Sequence, residues 1–306
     1  MMFEKLFAKT TLTKFQLIVY PTCVLLGVFI LIQSHPFVQI VFCVLMILSL
    51  LWSVLVEPRL FVIRRHTVQV SSLSTEITIA ILGDLHIGSP YISLSTAKRR
   101  LEEVLVHQPD VLVLVGDYVV QGVLGGKPVP IEDIAMMLDA IDIPCVAIIG
   151  NHDNREGHQR VLRAFEKTNV ILLDNTSQTM ILGQQQITFV GLADESTDEP
   201  KPTDAYPSTK PNHPLIALAH DPATWLREMP YPADVCLSGH THAGQIRFPV
   251  FGALILPGKS PLKWSYGWSK TNAGPLYVTS GLGTSIAPIR FNAPPEGVLL
   301  TLKPQS

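Results

Sequence analysis

The chain has 306 residues, 47% of them hydrophobic and 16% charged, with 23 basic against 25 acidic side chains. Globular proteins carry charge on roughly a quarter of their residues, and here the shortage is local. The 42 residues between Lys14 and Glu57 include no Asp, Glu, Lys or Arg, while residues 57–306 stand at net −4. This excludes a disordered chain, a disulfide scaffold and a strongly basic nucleic-acid binder. It leaves a membrane segment joined to one globular domain large enough for its own core.

In chain order, the charge-free stretch divides at Gln33-Ser34-His35-Pro36 into Phe15–Ile32 and Phe37–Val56. Each is about the length of helix that crosses a hydrocarbon core, so an N-terminal transmembrane helical hairpin is predicted. No small-residue cleavage site follows Ile32, which argues against a signal peptide. Lys5, Lys9 and Lys14 precede the first span, Arg59, Arg64 and Arg65 follow the second, and the turn has no cation. The positive-inside rule then puts both ends, and the globular domain, on the cytoplasmic side of the cell's inner membrane. Cys23, Cys43, Cys145 and Cys236 sit in apolar runs without CxxC spacing and are expected as buried, unpaired thiols.

Beyond Arg59 strand-like and helix-like runs alternate. Apolar strands are predicted at Ile77–Leu82, Val111–Val115, Cys145–Ile149, Leu215–Ala219 and Val235–Leu237, with later β-like runs at Ile187–Val190, Leu276–Thr279 and Val298–Leu302. Helical spacing covers Ser95–His107, Ile131–Ile141 and Arg155–Lys167, and Asp221-Pro222 reads as the cap and first residue of a short helix through Glu228. Residues 196–214, with five prolines, read as a loop. The alternation predicts a layered α/β domain with strands buried on both faces. The expected organisation is a cytoplasmic segment 1–14, two spans within 15–56, a linker and first strand in 57–75, and a catalytic domain 76–306.

The chemistry lies in how the strands end. They run into Gly83-Asp84-Leu85-His86, Gly116-Asp117, Gly150-Asn151-His152-Asp153, His220, and Gly239-His240-Thr241-His242, which together take half of the ten histidines. In open α/β sheets, ligands bind beyond the carboxyl ends of strands, so these side chains can converge. A D-x-H arises by chance about 0.4 times in such a chain and G-N-H-D about 0.0006 times, so the weight falls on the second and on the ordered set. Asx turns and helix caps explain one or two such endings but not five. Imidazole, carboxylate and amide oxygen without thiolate suit manganese, iron or zinc. Nine candidate ligands or acids are too many for one tetrahedral ion and fit a two-metal site bridged by a carboxylate. His35, His66, His107, His158 and His213 have no such context.

The ordered series D-x-H, G-D, G-N-H-D, H and G-H-x-H, over about residues 75–302, resembles the calcineurin-like metallophosphoesterase superfamily. The resemblance implies a two-sheet β-sandwich flanked by helices. It implies one metal on Asp84, His86, Asp117 and His242, and a second on Asp117, Asn151, His220 and His240. It further implies His152 as the acid protonating the leaving oxygen, oriented or polarised by Asp153. The implied activity is hydrolysis of a phosphodiester or pyrophosphate by hydroxide bridging two divalent ions, manganese first among them. The tail from Gly244 to Glu296 is similar to small bacterial phosphoesterases of the YaeI/YkuE type. Ser280 here precedes Gly281 where branch mates often carry Arg.

A related anchored branch hydrolyses the pyrophosphate of UDP-2,3-diacylglucosamine in lipid A synthesis. That branch and the anchor suggest a lipid-linked substrate. A nuclease is disfavoured by net −4 and the lack of a basic stripe. A non-catalytic metal-binding scaffold is the remaining alternative, although no ligand is missing. Trp264, Tyr266 and Trp268, with Lys259, Lys263 and Lys270, suit either a membrane interface or a β-rich core. Arg155 and Arg290 suit either a phosphate oxygen or a structural pair.

Overall fold

The computed structural model describes residues 35–196 and 199–305, with Gly27 and Gln33. The first predicted span, Phe15–Ile32, lies outside the described residues except for Gly27, as do Lys5, Lys9, Lys14 and Cys23. The second is a helix, α1 (Pro36–Leu51), started by Pro36 and by the His35 ring, which accepts from Phe37 N at 3.3 Å. It continues through a π turn at Trp52–Val56 and a 3-10 turn at Glu57–Arg59. No residue of α1 is buried. An 18-residue window within Pro36–Arg59 has a mean hydropathy of 2.6, and the segment is long and apolar enough to cross a membrane. Cys43 is exposed on this helix, whereas Cys145 and Cys236 are buried as expected.

Among the described residues of the remainder, two six-stranded sheets form the core, beside a two-stranded one. The first has the order β1 (Val62–Val70), β14 (Glu296–Pro304), β2 (Ile77–Leu82), β3 (Val111–Leu114), β4 (Cys145–Ile148), β5 (Ile171–Leu173). From β2 to β5 the pairing is parallel; β14 runs antiparallel to β2 and parallel to β1. The second has the order β12 (Gly267–Thr271), β13 (Gly274–Val278), β9 (Val235–Ser238), β8 (Leu215–Leu218), β7 (Gln185–Gly191), β6 (Thr176–Leu182). Its four inner strands are parallel and both edges antiparallel.

Strand periodicity explains the packing. Ile77, Ile79, Ile81, Val111 and Val113 point into the sandwich against Phe189, Ile216, Leu218 and Leu237 of the other sheet. Their neighbours Ala80, Leu82, Leu112 and Leu114 point outward against helices α2 (Leu94–Leu105), α3 (Ile131–Asp139) and α4 (Asn151–Phe165). Strands covered on both faces read as continuous apolar runs, which is why the sequence shows them. The edge strands β1, β6 and β12 alternate with exposed polar residues and give no such run. Helix α4 starts four residues before its predicted beginning. The Asp153 carboxylate accepts the Gly150 N–H at 2.9 Å and draws the G-N-H-D segment into the first turn. The helix expected after Asp221 is a 3-10 turn, Pro222–Leu226, capped by Asp221 accepting from Ala223 N at 2.8 Å.

Candidate metal centre

The inner strands of both sheets deliver their carboxyl ends to one place. Asp84 and His86 follow β2, Asp117 follows β3, Asn151 and His152 open α4 after β4, His220 follows β8, and His240 and His242 follow β9. All are buried except His240, which is half-buried. Three clusters of ligand atoms each lie within 4.8 Å: Asp84, His86 and His242; His86, Asp117 and His152; and Asp117, His220 and His240. Asp117 belongs to two of them, beside His220 Nε2 at 3.2 Å and His86 Nε2 at 3.6 Å.

The turns that build this centre are conformationally expensive. Asp84, His86, Asp117, His240 and His242 all have positive φ, between 38° and 68°. Non-glycine residues adopt that region rarely, and such strain collects at functional sites. Glycine gives the carboxylates room: a Cβ on Gly239 would lie 2.5 Å from Asp84 Oδ2. Gly281, at φ 70°, would place one 2.5 Å from the Asp84 Cβ.

Protonation follows from the partners. His220 Nδ1 lies 2.7 Å from the Val115 carbonyl and His86 Nδ1 lies 3.2 Å from the Val119 carbonyl. A carbonyl only accepts, so both rings donate there, and a neutral ring then presents an Nε2 lone pair to the pocket as a metal ligand must. For His220, burial opposes the charge, but Asp117 and Asp84 outweigh it and hold the metal-free ring well above the usual imidazole range. His220 Nε2 then faces a carboxylate oxygen, and His86 Nε2 faces His242 Nε2 at 3.1 Å. Asn151 Oδ1, His220 Nε2 and His242 Nδ1 are buried without hydrogen-bond partners. Unpartnered buried ligand atoms converging with two carboxylates make a nitrogen–oxygen donor set that fits divalent metals. Burial pushes the Asp84 carboxyl up to about 6 and lowers His86 to about 3. For Asp117, burial opposes the charge, but His220 and His152 outweigh it and hold the group well below the usual carboxylate range.

His152 sits at the edge of the pocket. Its backbone N–H donates to Asp117 Oδ1 at 2.8 Å, its ring stands 4.6 Å from that of His86, and its Nδ1 is buried without a partner. Burial lowers its pKa, and so does the exposed Arg155 nearby. The hydrogen bonds of Asp153 go to backbone amides and not to this ring. Its two oxygens accept from the amides of Asp117 (2.8 Å), Tyr118 (2.7 Å), Val119 (3.2 Å) and Gly150 (2.9 Å), so it fastens the Asp117 loop to the start of α4.

Arg290 is fully buried and donates to the carbonyls of Ser280, Gly281, Gly283 and Ala293, which makes it a brace for the turn behind Asp84 and His86 rather than a phosphate holder. Trp264 is buried, Tyr266 is half-buried and donates to Glu296, and Trp268 is exposed at the edge with its ring 5.2 Å from that of Tyr277, so the aromatic run passes from core to surface. One neighbour has no warning in the sequence beyond its capping role: Asp221 Oδ2 lies 3.7 Å from His240 Nε2, where it can orient that ring. His35, His66, His107, His158 and His213 make contacts away from the centre.

Comparison with known proteins follows the same residues. The calcineurin-like phosphoesterase family model matches residues 77–244, more than half of the chain. Phosphodiesterase YaeI of Escherichia coli is 27% identical over 250 residues, covering 80% of this chain and 90% of its own. The metallophosphoesterase YkuE of Bacillus subtilis is 27% identical over 257 residues, covering 81% and 87%. UDP-2,3-diacylglucosamine pyrophosphatase LpxG of Chlamydia trachomatis is 26% identical over 313 residues, covering 83% and 93%. With that family match over strands that deliver a shared carboxylate and five histidines to one pocket, the chain belongs to the calcineurin-like phosphoesterases, metal-dependent hydrolases of phosphoric esters.

Proposed function

We propose that the protein is a membrane-anchored phosphoesterase that cleaves a phosphodiester or pyrophosphate in a lipid-linked substrate at the cytoplasmic face of the inner membrane. The observation that carries the reading is Asp117, shared by two clusters of inward-facing acceptors. Asp84, His86, Asp117 and His242 would hold one divalent ion, and Asp117, Asn151, His220 and His240 the other. Manganese suits this oxygen–nitrogen donor set, as do iron and zinc. Bound there, two such ions supply Lewis-acid polarisation of the phosphoryl group and acidify water at neutral pH.

The chain's own residues do the rest. Buried Asp117 stays ionised among its histidines and keeps the two ligand sets at one spacing. The His152 amide is tied to Asp117, which aims the imidazole to give a proton to the departing oxygen. Asp153 preserves that aim by clamping loop to helix through four amides. Exposed Arg155 beside His152 is placed to meet a phosphate oxygen at the rim.

Substrate and location rest on the helix and the relatives. The exposed apolar helix α1 supports anchoring, and the cations at Arg59, Arg64 and Arg65 support the cytoplasmic side. The name of LpxG, a pyrophosphatase of a diacylated sugar nucleotide, supports a substrate of that kind. The test is to assay the full chain in nanodiscs with Mn²⁺ on bis-p-nitrophenyl phosphate, single-stranded DNA and UDP-2,3-diacylglucosamine. Turnover of the first and third is expected, with UMP released from the third. DNA turnover alone would make it a nuclease. Inactivity on all three with two metals bound would make it a scaffold. For topology, the C-terminal domain should be digested by protease in inside-out vesicles, and protection there would overturn the cytoplasmic placement.

A further inference from the structure

Two residues beyond the His242–Gly244 turn the chain forms a small hairpin, β10 (Arg247–Phe248) and β11 (Gly252–Ala253). Among the described residues outside 36–60, twelve large hydrophobic side chains are exposed, and five of them fall within residues 246–255: Ile246, Phe248, Val250, Phe251 and Ile255. Val250 is 100% exposed and Phe251 73%. Single exposed apolar residues are ordinary, but a contiguous patch marks a contact surface. The turn's own chemistry runs against this composition. Val250 sits at φ 71°, where a β-branched side chain is strained and Gly or Asn would be favoured. A position that breaks its local rule points to the side chain, not the backbone, as what is needed there.

The patch also has a telling position. The strip Arg290–Ala293 lies between the hairpin and the base of the apolar helix. On one side Arg290 N donates to Ser53 O at 2.9 Å, and Ala293 N donates to Glu57 Oε1 at 2.5 Å. On the other, Arg247 N donates to Phe291 O at 2.9 Å, and the Phe248 and Phe291 rings are 6.5 Å apart. Four residues, bent at Asn292 (φ 53°), span at most on the order of 10 Å, so the hairpin stands beside the point where the helix leaves the domain. Trp52 sits at that level, and Trp favours the membrane–water boundary. Below the tip is an open cleft of about 560 Å³ lined by Arg247, Phe248, Phe251, Lys263, Tyr266 and Asn292. Its two cations complement anionic headgroups.

We propose that the hairpin Arg247–Ala253 is a second membrane contact. Phe248, Val250 and Phe251 enter the interfacial layer of the bilayer that α1 crosses, and Arg247 and Lys263 meet the phosphates of its anionic lipids. The proposal rests on the anchoring reading and deepens it. A domain held at two points cannot swivel about its anchor, so the metal centre, five residues from the hairpin, keeps one face to the lipid surface.

The test uses the full chain with Cys23→Ala and Cys43→Ala, a spin label at Val250→Cys, and vesicles of zwitterionic phospholipid containing a quarter anionic lipid. Power saturation with oxygen and with a water-soluble nickel chelate reads immersion. Two references are labelled in parallel: Leu45→Cys in α1, and Ile181→Cys, exposed on the far edge strand β6. The Val250 label should be shielded from the chelate as Leu45 is, with Ile181 fully accessible. A Val250 label as accessible as Ile181, with Leu45 shielded, overturns the hairpin contact and leaves the anchor standing. An accessible Leu45 overturns the anchor and this proposal with it. Removing the anionic lipid should raise chelate access at Val250 about threefold or more. Unchanged immersion overturns the part assigned to Arg247 and Lys263.

Discussion

Strand β3 and helix α1 are alike in composition and opposite in surroundings. All four residues of β3, Val-Leu-Val-Leu, are buried, whereas none of the sixteen in α1 is. Alternation in β3 sends Val111 and Val113 to the second sheet and Leu112 and Leu114 to the helices, so each face has a partner within the chain. Helix α1 is mostly apolar on all sides, and none of its residues is buried among the described residues; it is long and apolar enough to cross a membrane. Hydrophobicity therefore says what must leave water but not what replaces it. The two regions also end differently. Past β3 comes Asp117, buried among histidines, and past α1 comes Glu57, which ties the helix to the domain.

The polar end of β3 carries the largest expected effect. Asp117→Asn removes the charge shared by both ligand clusters, so turnover of bis-p-nitrophenyl phosphate should fall at least about a thousand-fold. Metal content measured by mass spectrometry should fall with it. Full turnover with two metals retained would end the bridging role. His152→Ala should cost about 10²–10⁴ in turnover while metal content stays near that of the wild type. Should that variant lose metal, His152 belongs in the ligand set, a position its closeness to His86 and Asp117 would explain.

The apolar halves can be compared directly. Leu114→Ala opens a cavity between β3 and the helices and should cost about 2–5 kcal/mol in urea unfolding of the domain. Leu45→Ala, on a side chain 58% exposed, should change the same measurement by less than about 0.5 kcal/mol. Comparable losses at both would mean that α1 packs on the domain and that lipid is not what covers it.

What the sequence disclosed and concealed divides along the same line. The five strand endings are legible because each joins an apolar run to a Gly or small residue and then a ligand, a signal confined to consecutive positions. Asp153 belongs to such a motif, yet its oxygens are spent on amides at positions 117–119 and 150, and only the folded loop shows that. Arg290 suits a phosphate oxygen or a structural pair in the sequence, and only the fold, which surrounds it with the carbonyls of residues 280, 281, 283 and 293, settles it as structural. Asp221 shows its cap in the sequence but not its approach to His240. Strand β1, Val62–Val70, falls within the first strand expected in 57–75, but its parallel pairing with β14 is a long-range fact that only the fold shows.

The junction between the two regions carries the smallest expected effect. Glu57 is 5% exposed and uses both oxygens, Oε1 accepting from Ala293 N at 2.5 Å and Oε2 from Trp52 Nε1 at 2.9 Å. One donor belongs to the domain and the other to the helix, so a single carboxylate fastens them together. Glu57→Gln keeps the shape but offers one acceptor where two are needed, and its amide N–H must face either Ala293 or Trp52. The cost should be about 1–3 kcal/mol, the scale of one unsatisfied buried donor. It should appear as a lower urea midpoint together with faster motion of a spin label at Leu55→Cys, just before the junction. A lower midpoint with an unchanged label would place the loss in the domain alone. With both unchanged, the helix end would be held instead by the Ser53 carbonyl and by Arg59 stacked 3.8 Å from the Tyr91 ring, and the carboxylate would be dispensable at this boundary.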